Sequence, residues 1–236
     1  MAKGKKKGLF KRSLVWTGCF FLKLLLIFII VTMIQVAALR YLDPPFTFSM
    51  VSLWLKDLFS SKHYIIPKGE WRSIKDISPL VIQAVLAGED QRFMSHSGFD
   101  FVELNQAVKD ILEDGKVRGA STITMQLART LFLWQGRSIS RKVLEAYYTV
   151  LIELFLNKMR ILEIYLNTVD WGNGIVGVEA AARKYFNKDS SELNASQAAL
   201  LAAILPSPHR WSPLHPNNQV LERQKWIMKN MSKMRL

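Results

Sequence analysis

Residues 121–155 read STITMQLARTLFLWQGRSISRKVLEAYYTVLIELF, and their spacing decides the fold class. Ile123, Leu127, Ala128 and Leu131 recur at three- and four-residue intervals, which sets them on one face of a helix starting near Ser121. Thr122, Gln126 and Arg129 fall on the other face. A second helix starts at Ser138 or Ser140 and runs past Phe155, with Val143, Tyr147, Val150, Leu151 and Leu154 as its expected buried positions. Arg141 and Glu145, four apart, share the polar side.

The same period extends in both directions. Ser78 reads as an N-cap with Pro79 at the first helical position, followed by apolar Val81, Ile82, Val85 and Leu86 up to Gly88. Further helices are expected over Met159–Leu166, Val178–Tyr185 and from Asn194 through Leu205, where Asn194 and Gln197 suit a capping box and Pro206 ends the run. Only a short piece near Tyr64 to Ile66 alternates with period two. The fold class is therefore mainly α.

Toward the N-terminus, Leu14 to Leu39 is apolar apart from Lys23 and follows Lys3, Lys5, Lys6, Lys7, Lys11 and Arg12. About 20 apolar residues cross a hydrocarbon core of roughly 30 Å, and the excess of Lys and Arg marks the cytoplasmic flank. Lys23 lies near that flank, where its stem can snorkel to the headgroups. A cleaved signal peptide is the competing reading, resting on the small residues Val36 and Ala38, but the run exceeds the usual apolar length of such a peptide. The expected organisation is a basic cytoplasmic tail at 1–13, a transmembrane anchor at 14–39, a membrane-proximal apolar segment at 40–70 and one domain at 71–236. Within the third, residues 46–59 (FTFSMVSLWLKDLF) read either as a core helix or as a surface held against the outer leaflet.

The net charge is +13, a large share of it in the first twelve residues, and the moderately basic remainder suits anionic lipid, polyphosphate or nucleic acid. Placement beyond Arg40 outside the cytoplasm removes nucleic acid. The one cysteine, Cys19, lies in the apolar run, so no internal disulfide forms.

The sequence has no HExxH, CxxC, GxSxG, Gly-rich phosphate loop or SxxK/KTG pair, and its histidines at 63, 96, 209 and 215 lack ligand spacing, so no protein-built transition-metal site is expected. Carboxylates and cations remain. Glu89 and Asp90 close the helix that begins at Pro79, and a partly desolvated carboxylate there gains basicity; the ordinary alternative is a solvated pair bonded to a nearby arginine. Glu145 beside Arg141 and Lys142 reads most simply as an exposed ion pair. Ser121, Thr122, Gln126, Arg129, Arg137, Arg141 and Lys142 form a basic, hydroxyl-bearing strip suited to a diphosphate, or a solvated basic face.

Five segments occur in order: GEDQRFMSHSGFD (88–100), GASTITMQLARTLFL (119–133), RSISRKVLEAYYTVLIE (137–153), RILEIYLNTVDWGNGIVGVEAAARKYF (160–186) and AALLAAILPSP (198–208). They resemble the successive motifs of the peptidoglycan glycosyltransferases, and the resemblance runs from about Trp71 to Pro213. Without transpeptidase signatures, the chain most resembles the monofunctional biosynthetic form of Gram-negative bacteria. The resemblance implies a lysozyme-like fold with a small membrane-associated lobe, to which residues 46–59 then belong. It implies Glu89 as general base, Asp90 as its acidic neighbour and Glu145 as the second essential glutamate. Ser121 and Gln126 take the polar donor-site positions, and Arg129 and Arg137 the diphosphate contacts, with Arg141 and Lys142 beside them. Two positions depart from the family's pattern. Arg129 stands where Lys is usual, which keeps the charge and changes its geometry, and Met125 stands where Gln is usual and receives no role.

The implied reaction is polymerisation of lipid II into β-1,4 glycan with loss of undecaprenyl diphosphate. The implied partners are lipid II, the lipid-linked glycan chain, the inner membrane and cell-division or other cell-wall synthesis proteins. A divalent cation, Mg or Mn, at the diphosphate is the only cofactor for which this reading leaves room. Two alternatives stay open: a membrane-anchored muramidase or lytic transglycosylase, and a non-catalytic scaffold for cell-wall synthesis.

Overall fold

The computed structural model describes residues 2–48, 50–51, 58, 70–115, 119–134, 136, 138–172 and 174–235. It divides into two compact units, Met1–Leu42 and Asp43–Leu236. The first is dominated by helix α1 (Ala2–Ala38), whose stretch Trp16–Ala38 is long and apolar enough to cross a membrane. Most of the apolar segment 46–59, and the alternating piece at 64–66, lie outside the described residues.

The second unit carries eight described α-helices: α2 (Pro79–Glu89), α3 (Phe101–Asp114), α4 (Ile123–Phe132), α5 (Ile139–Phe155), α6 (Lys158–Thr168), α7 (Val178–Phe186), α8 (Ala195–Ile204) and α9 (Asn218–Met231). Among the described residues the β pairing is one isolated antiparallel bridge, Asp170 to Val176. Side-chain caps start the helices where the sequence offers them. Asp100 accepts from the amides of Val102 and Glu103, Thr122 from Met125, Ser138 from Arg141 and Asn157 from Arg160. Asn194 and Gln197 form the expected capping box. Ser78 precedes α2 as expected, but its hydroxyl donates to the Leu193 carbonyl instead of capping the helix.

Two packed groups build the core. Helices α2, α8 and α9 pack on one another, and α4 packs against both α5 and α6. Helix α8 is buried through Ala198, Ala199, Leu201, Ala202, Ala203 and Ile204, and its alanines let its neighbours approach closely. The turn at Gly172 adopts φ +98°, and a Cβ there would lie 2.1 Å from the Pro208 carbonyl oxygen, so only glycine lets these two loops touch.

One expected face is reversed. On α5, Val143 and Leu154 are 63% and 68% exposed and Val150 is exposed as well, whereas Arg141, Glu145, Tyr148, Thr149 and Ile152 are buried. Of the expected core positions only Leu151 is buried. The polar stripe can lie inside because the Glu145 carboxylate is paired with Arg141 and Lys142 and the Thr149 hydroxyl donates to the Glu145 carbonyl, and this leaves the apolar stripe outside. Helix α3, which spacing did not single out, likewise buries Ala107 and exposes Phe101, Val102, Leu104, Val108, Ile111 and Leu112. Helix α9 also escaped the sequence reading, since only Val220, Ile227 and Met231 of its residues are buried.

Candidate active site

The site forms where α2 ends. Glu89 is the last residue of α2 and its side chain is 10% exposed. Both carboxylate oxygens are held: Gln126 Nε2 donates to Oε2 at 2.9 Å, and Arg223 Nη2 donates to Oε1 at 2.9 Å. Burial raises the Glu89 pKa above the usual carboxylate value, the donors Gln126 and Arg223 pull against that rise, and Asp90 adds to it. The result is a partly dry carboxylate of enhanced basicity held in a fixed rotamer.

Gln126 is itself held, because the hydroxyl of Tyr165, on α6, donates to its Oε1 at 2.9 Å. Three helices and the end of a fourth therefore meet at one carboxylate. Asp90 is buried and faces inward. Its Oδ1 lies 2.9 Å from His96 Nε2, and its Oδ2 accepts from the Ile123 amide at 3.0 Å. It thus ties the end of α2 to the start of α4.

The loop after Glu89 is gripped from both sides. Thr122 donates to the Gly98 carbonyl at 2.6 Å, and Gly98, at φ +86°, lies so close to α5 that a Cβ would sit 2.7 Å from Thr149 Cγ2. Helices α4 and α5 run antiparallel, as the stacked pair Phe132 and Tyr148 and the bond from Thr124 to Glu153 require. The C-terminal turn of α4, with exposed Arg129, therefore lies toward the N-terminal half of α5, with Arg141 and Lys142.

Glu145 is fully buried, which corrects the expectation of an exposed ion pair. Arg141 Nη1 donates to one of its oxygens at 2.6 Å and Lys142 Nζ to the other at 2.5 Å. Two cations around one carboxylate leave a net positive charge at the start of α5, with half of the Lys142 side chain in solvent. Ser121 is half-buried just ahead of the α4 cap. Arg137 lies outside the described residues.

A family model described as Transglycosylase matches residues 62–232. The chain belongs to the transglycosylase family. This transglycosylase is 47% identical over 199 residues to the biosynthetic peptidoglycan transglycosylase of Pseudomonas entomophila (strain L48), covering 84% of each chain. It is 44% identical over 219 residues to the protein of the same name from Xanthomonas campestris pv. campestris (strain B100), covering 93% of this chain and 87% of the relative. The like-named protein of Pseudomonas putida (strain KT2440, ATCC 47054) is 44% identical over 210 residues, 89% of each chain. The mainly α domain is thus a transglycosylase domain of lysozyme-like class, and the chain is an enzyme of glycosyl transfer.

Two groups in the transglycosylase site were not singled out from the sequence. Arg223 lies beyond Pro213, where the motif resemblance ends, on a helix with sparse apolar signal. Tyr165 looks like a core aromatic within RILEIYLN, and nothing in its spacing announces a bond to Gln126. The described donors do not fit a cation held by protein at the diphosphate, because the carboxylate of the basic strip, Glu145, is already taken by Arg141 and Lys142. Asp90, His96 and Asp100 do gather ligand atoms within 4.8 Å. These atoms are bonded within the protein, however, with Asp90 to His96 and Ile123, and Asp100 to the α3 amides and Arg92.

Proposed function

We propose that this transglycosylase is a peptidoglycan glycosyltransferase that polymerises lipid II into β-1,4 glycan strands with release of undecaprenyl diphosphate. The observation that carries the reading is Glu89, a buried carboxylate of raised basicity fixed by two donors. The relatives' printed name agrees with it.

In this reading Glu89 takes the proton from the GlcNAc 4-hydroxyl of lipid II as that oxygen attacks the anomeric carbon of the lipid-linked MurNAc. The bond from that carbon to the diphosphate oxygen breaks with inversion. Arg129, Arg137 and the cluster of Arg141 and Lys142 stabilise the charge that develops on the leaving diphosphate. Glu145 holds Arg141 and Lys142 in place, and Ser121 lines the donor side. Asp90 serves as the brace behind Glu89.

The anchor supports a place in the bacterial inner membrane, crossed once with the N-terminus cytoplasmic and the domain periplasmic. The outward apolar residues of α3 and α5 suit the same place, because lipid tolerates a surface that water does not. Cell-division or other cell-wall synthesis proteins are the proposed partners.

The test is incubation of the detergent-solubilised full chain and its Glu89→Gln variant with labelled lipid II, with products resolved by size. General-base loss predicts about 10²–10⁴-fold slower polymerisation, or roughly 3–5 kcal/mol of transition-state stabilisation. Cleavage of added glycan strands with no polymer would favour the lytic alternative, and variant activity near wild type would remove Glu89 from the base role.

A further inference from the structure

Tyr165 is 1% exposed, and burying a phenol hydroxyl costs free energy unless it is bonded. Phenylalanine would fill the same space without that cost, so the consequence of the hydroxyl has to be sought at its partner, Gln126 Oε1. Burial pushes the Tyr165 pKa well above the usual value, helped by the nearby Glu89 charge, and the phenol therefore stays a neutral donor at working pH.

The Gln126 amide can lie either way round. A carboxylate only accepts, so Nε2 must face Glu89, and the reversed amide would set oxygen against oxygen. That choice leaves Oε1 in the interior needing a donor, which Tyr165 supplies. Without the hydroxyl, Oε1 loses its partner and the amide is released to turn away from Glu89.

We propose that Tyr165 is a positioning residue for the base: through the Gln126 amide, its hydroxyl keeps a donor on the ionised form of Glu89 and holds that carboxylate in one rotamer. This rests on the reading of Glu89 as the base. The charged and titratable groups around Glu89 are Arg223 from α9, Asp90 next in the chain, Tyr165 from α6 and, beyond the tyrosine, Arg129 of α4. A donor to the ionised form lowers a pKa, so its loss moves the acid limb of activity to higher pH.

The experiment measures kcat and KM for lipid II polymerisation against pH in full-length wild type, Tyr165→Phe, Gln126→Leu, the double variant and Glu89→Gln. Tyr165→Phe should shift the acid limb of kcat up by about 0.5–1 pH unit, with KM changed less than about twofold. The double variant should show the shift of Gln126→Leu and no more. A fluorinated tyrosine at 165, which keeps the shape and donates more strongly, should shift the limb downward, and this arm decides the matter if Tyr165→Phe does not fold. An unmoved limb with fluorotyrosine or Phe, or additive shifts in the double variant, would overturn the proposal while a dead Glu89→Gln left the base intact. Near-normal activity in Glu89→Gln would instead overturn the base reading itself.

Discussion

Arg223 reaches Glu89 from the last helix, 134 residues further along the chain, with Nη2 2.9 Å from Oε1 and 2.6 Å from the Gly88 carbonyl oxygen. One guanidinium thus closes the end of α2 and balances the charge of its last carboxylate, so the last helix contributes directly to the candidate site. Removing the cation by Arg223→Gln should slow polymerisation roughly 10–100-fold, the range of a charge-assisted hydrogen bond, and should raise the acid limb of the pH profile. Arg223→Lys keeps the charge without the fork and should fall between the two. Polymerisation by Arg223→Gln at the wild-type rate would separate α9 from catalysis.

The wild-type pH profile provides an independent check. Burial holds the Glu89 pKa above the usual carboxylate range, so the base stays protonated to higher pH than an ordinary glutamate and the acid limb should lie above that range. The sign for stability is the reverse of the usual carboxylate case. A raised folded-state pKa favours the fold below the unfolded pKa, and that contribution is lost as pH rises through the folded pKa. Glu89→Gln should therefore melt no lower than wild type near neutral pH, so its loss of activity cannot be ascribed to unfolding. Calorimetry beside the activity assay checks both statements.

The triad of Arg141, Glu145 and Lys142 makes a different prediction. Glu145→Gln leaves the Arg141 charge buried without its counterion and should cost on the order of 3 kcal/mol, seen as a lower denaturation midpoint. Replacing both buried partners, Arg141→Met with Glu145→Met, should recover most of that stability, because an apolar pair of similar volume packs there without desolvated charge. It should not recover polymerisation, since the cation is gone. Activity in the stable double variant would show that Arg141 has no part in holding the diphosphate.

The same triad shows how far the sequence could be read. Ile123, Leu127, Ala128 and Leu131 were legible as buried positions of α4, and Val81, Ile82, Val85 and Leu86 as those of α2, because apolar residues at helical spacing there are covered by neighbouring helices. In α5 the rule pointed outward. Periodicity detects an amphipathic helix, but it does not say which stripe faces protein when the polar stripe is internally paired. The i and i+4 spacing of Arg141 and Glu145 was visible; their burial is a matter of tertiary packing, which spacing does not encode. Glu89 stood out by its place at a helix end, whereas Arg223 and Tyr165 reach the site through long-range contacts that local spacing does not encode.

Away from the site, Glu179 on α7 supports stability at neutral pH that acid removes. It is fully buried, which by itself would raise its pKa, but the Ser190 amide donates to it at 2.9 Å, and Arg72 and Arg183 donate at 3.0 and 2.7 Å. These donors outweigh the desolvation and bring its pKa down to about 2. A depressed folded-state pKa gives stability that is present above the unfolded value and lost as pH falls through the folded one. Glu179→Gln should thus cost about 3 kcal/mol at neutral pH, and the gap to wild type should narrow between roughly pH 4.5 and 2. Denaturant midpoints of the two proteins across that interval decide it: a gap that stays constant with pH would mean that shape and neutral hydrogen bonds, and not the buried charge, hold α7 to the segment at Arg72.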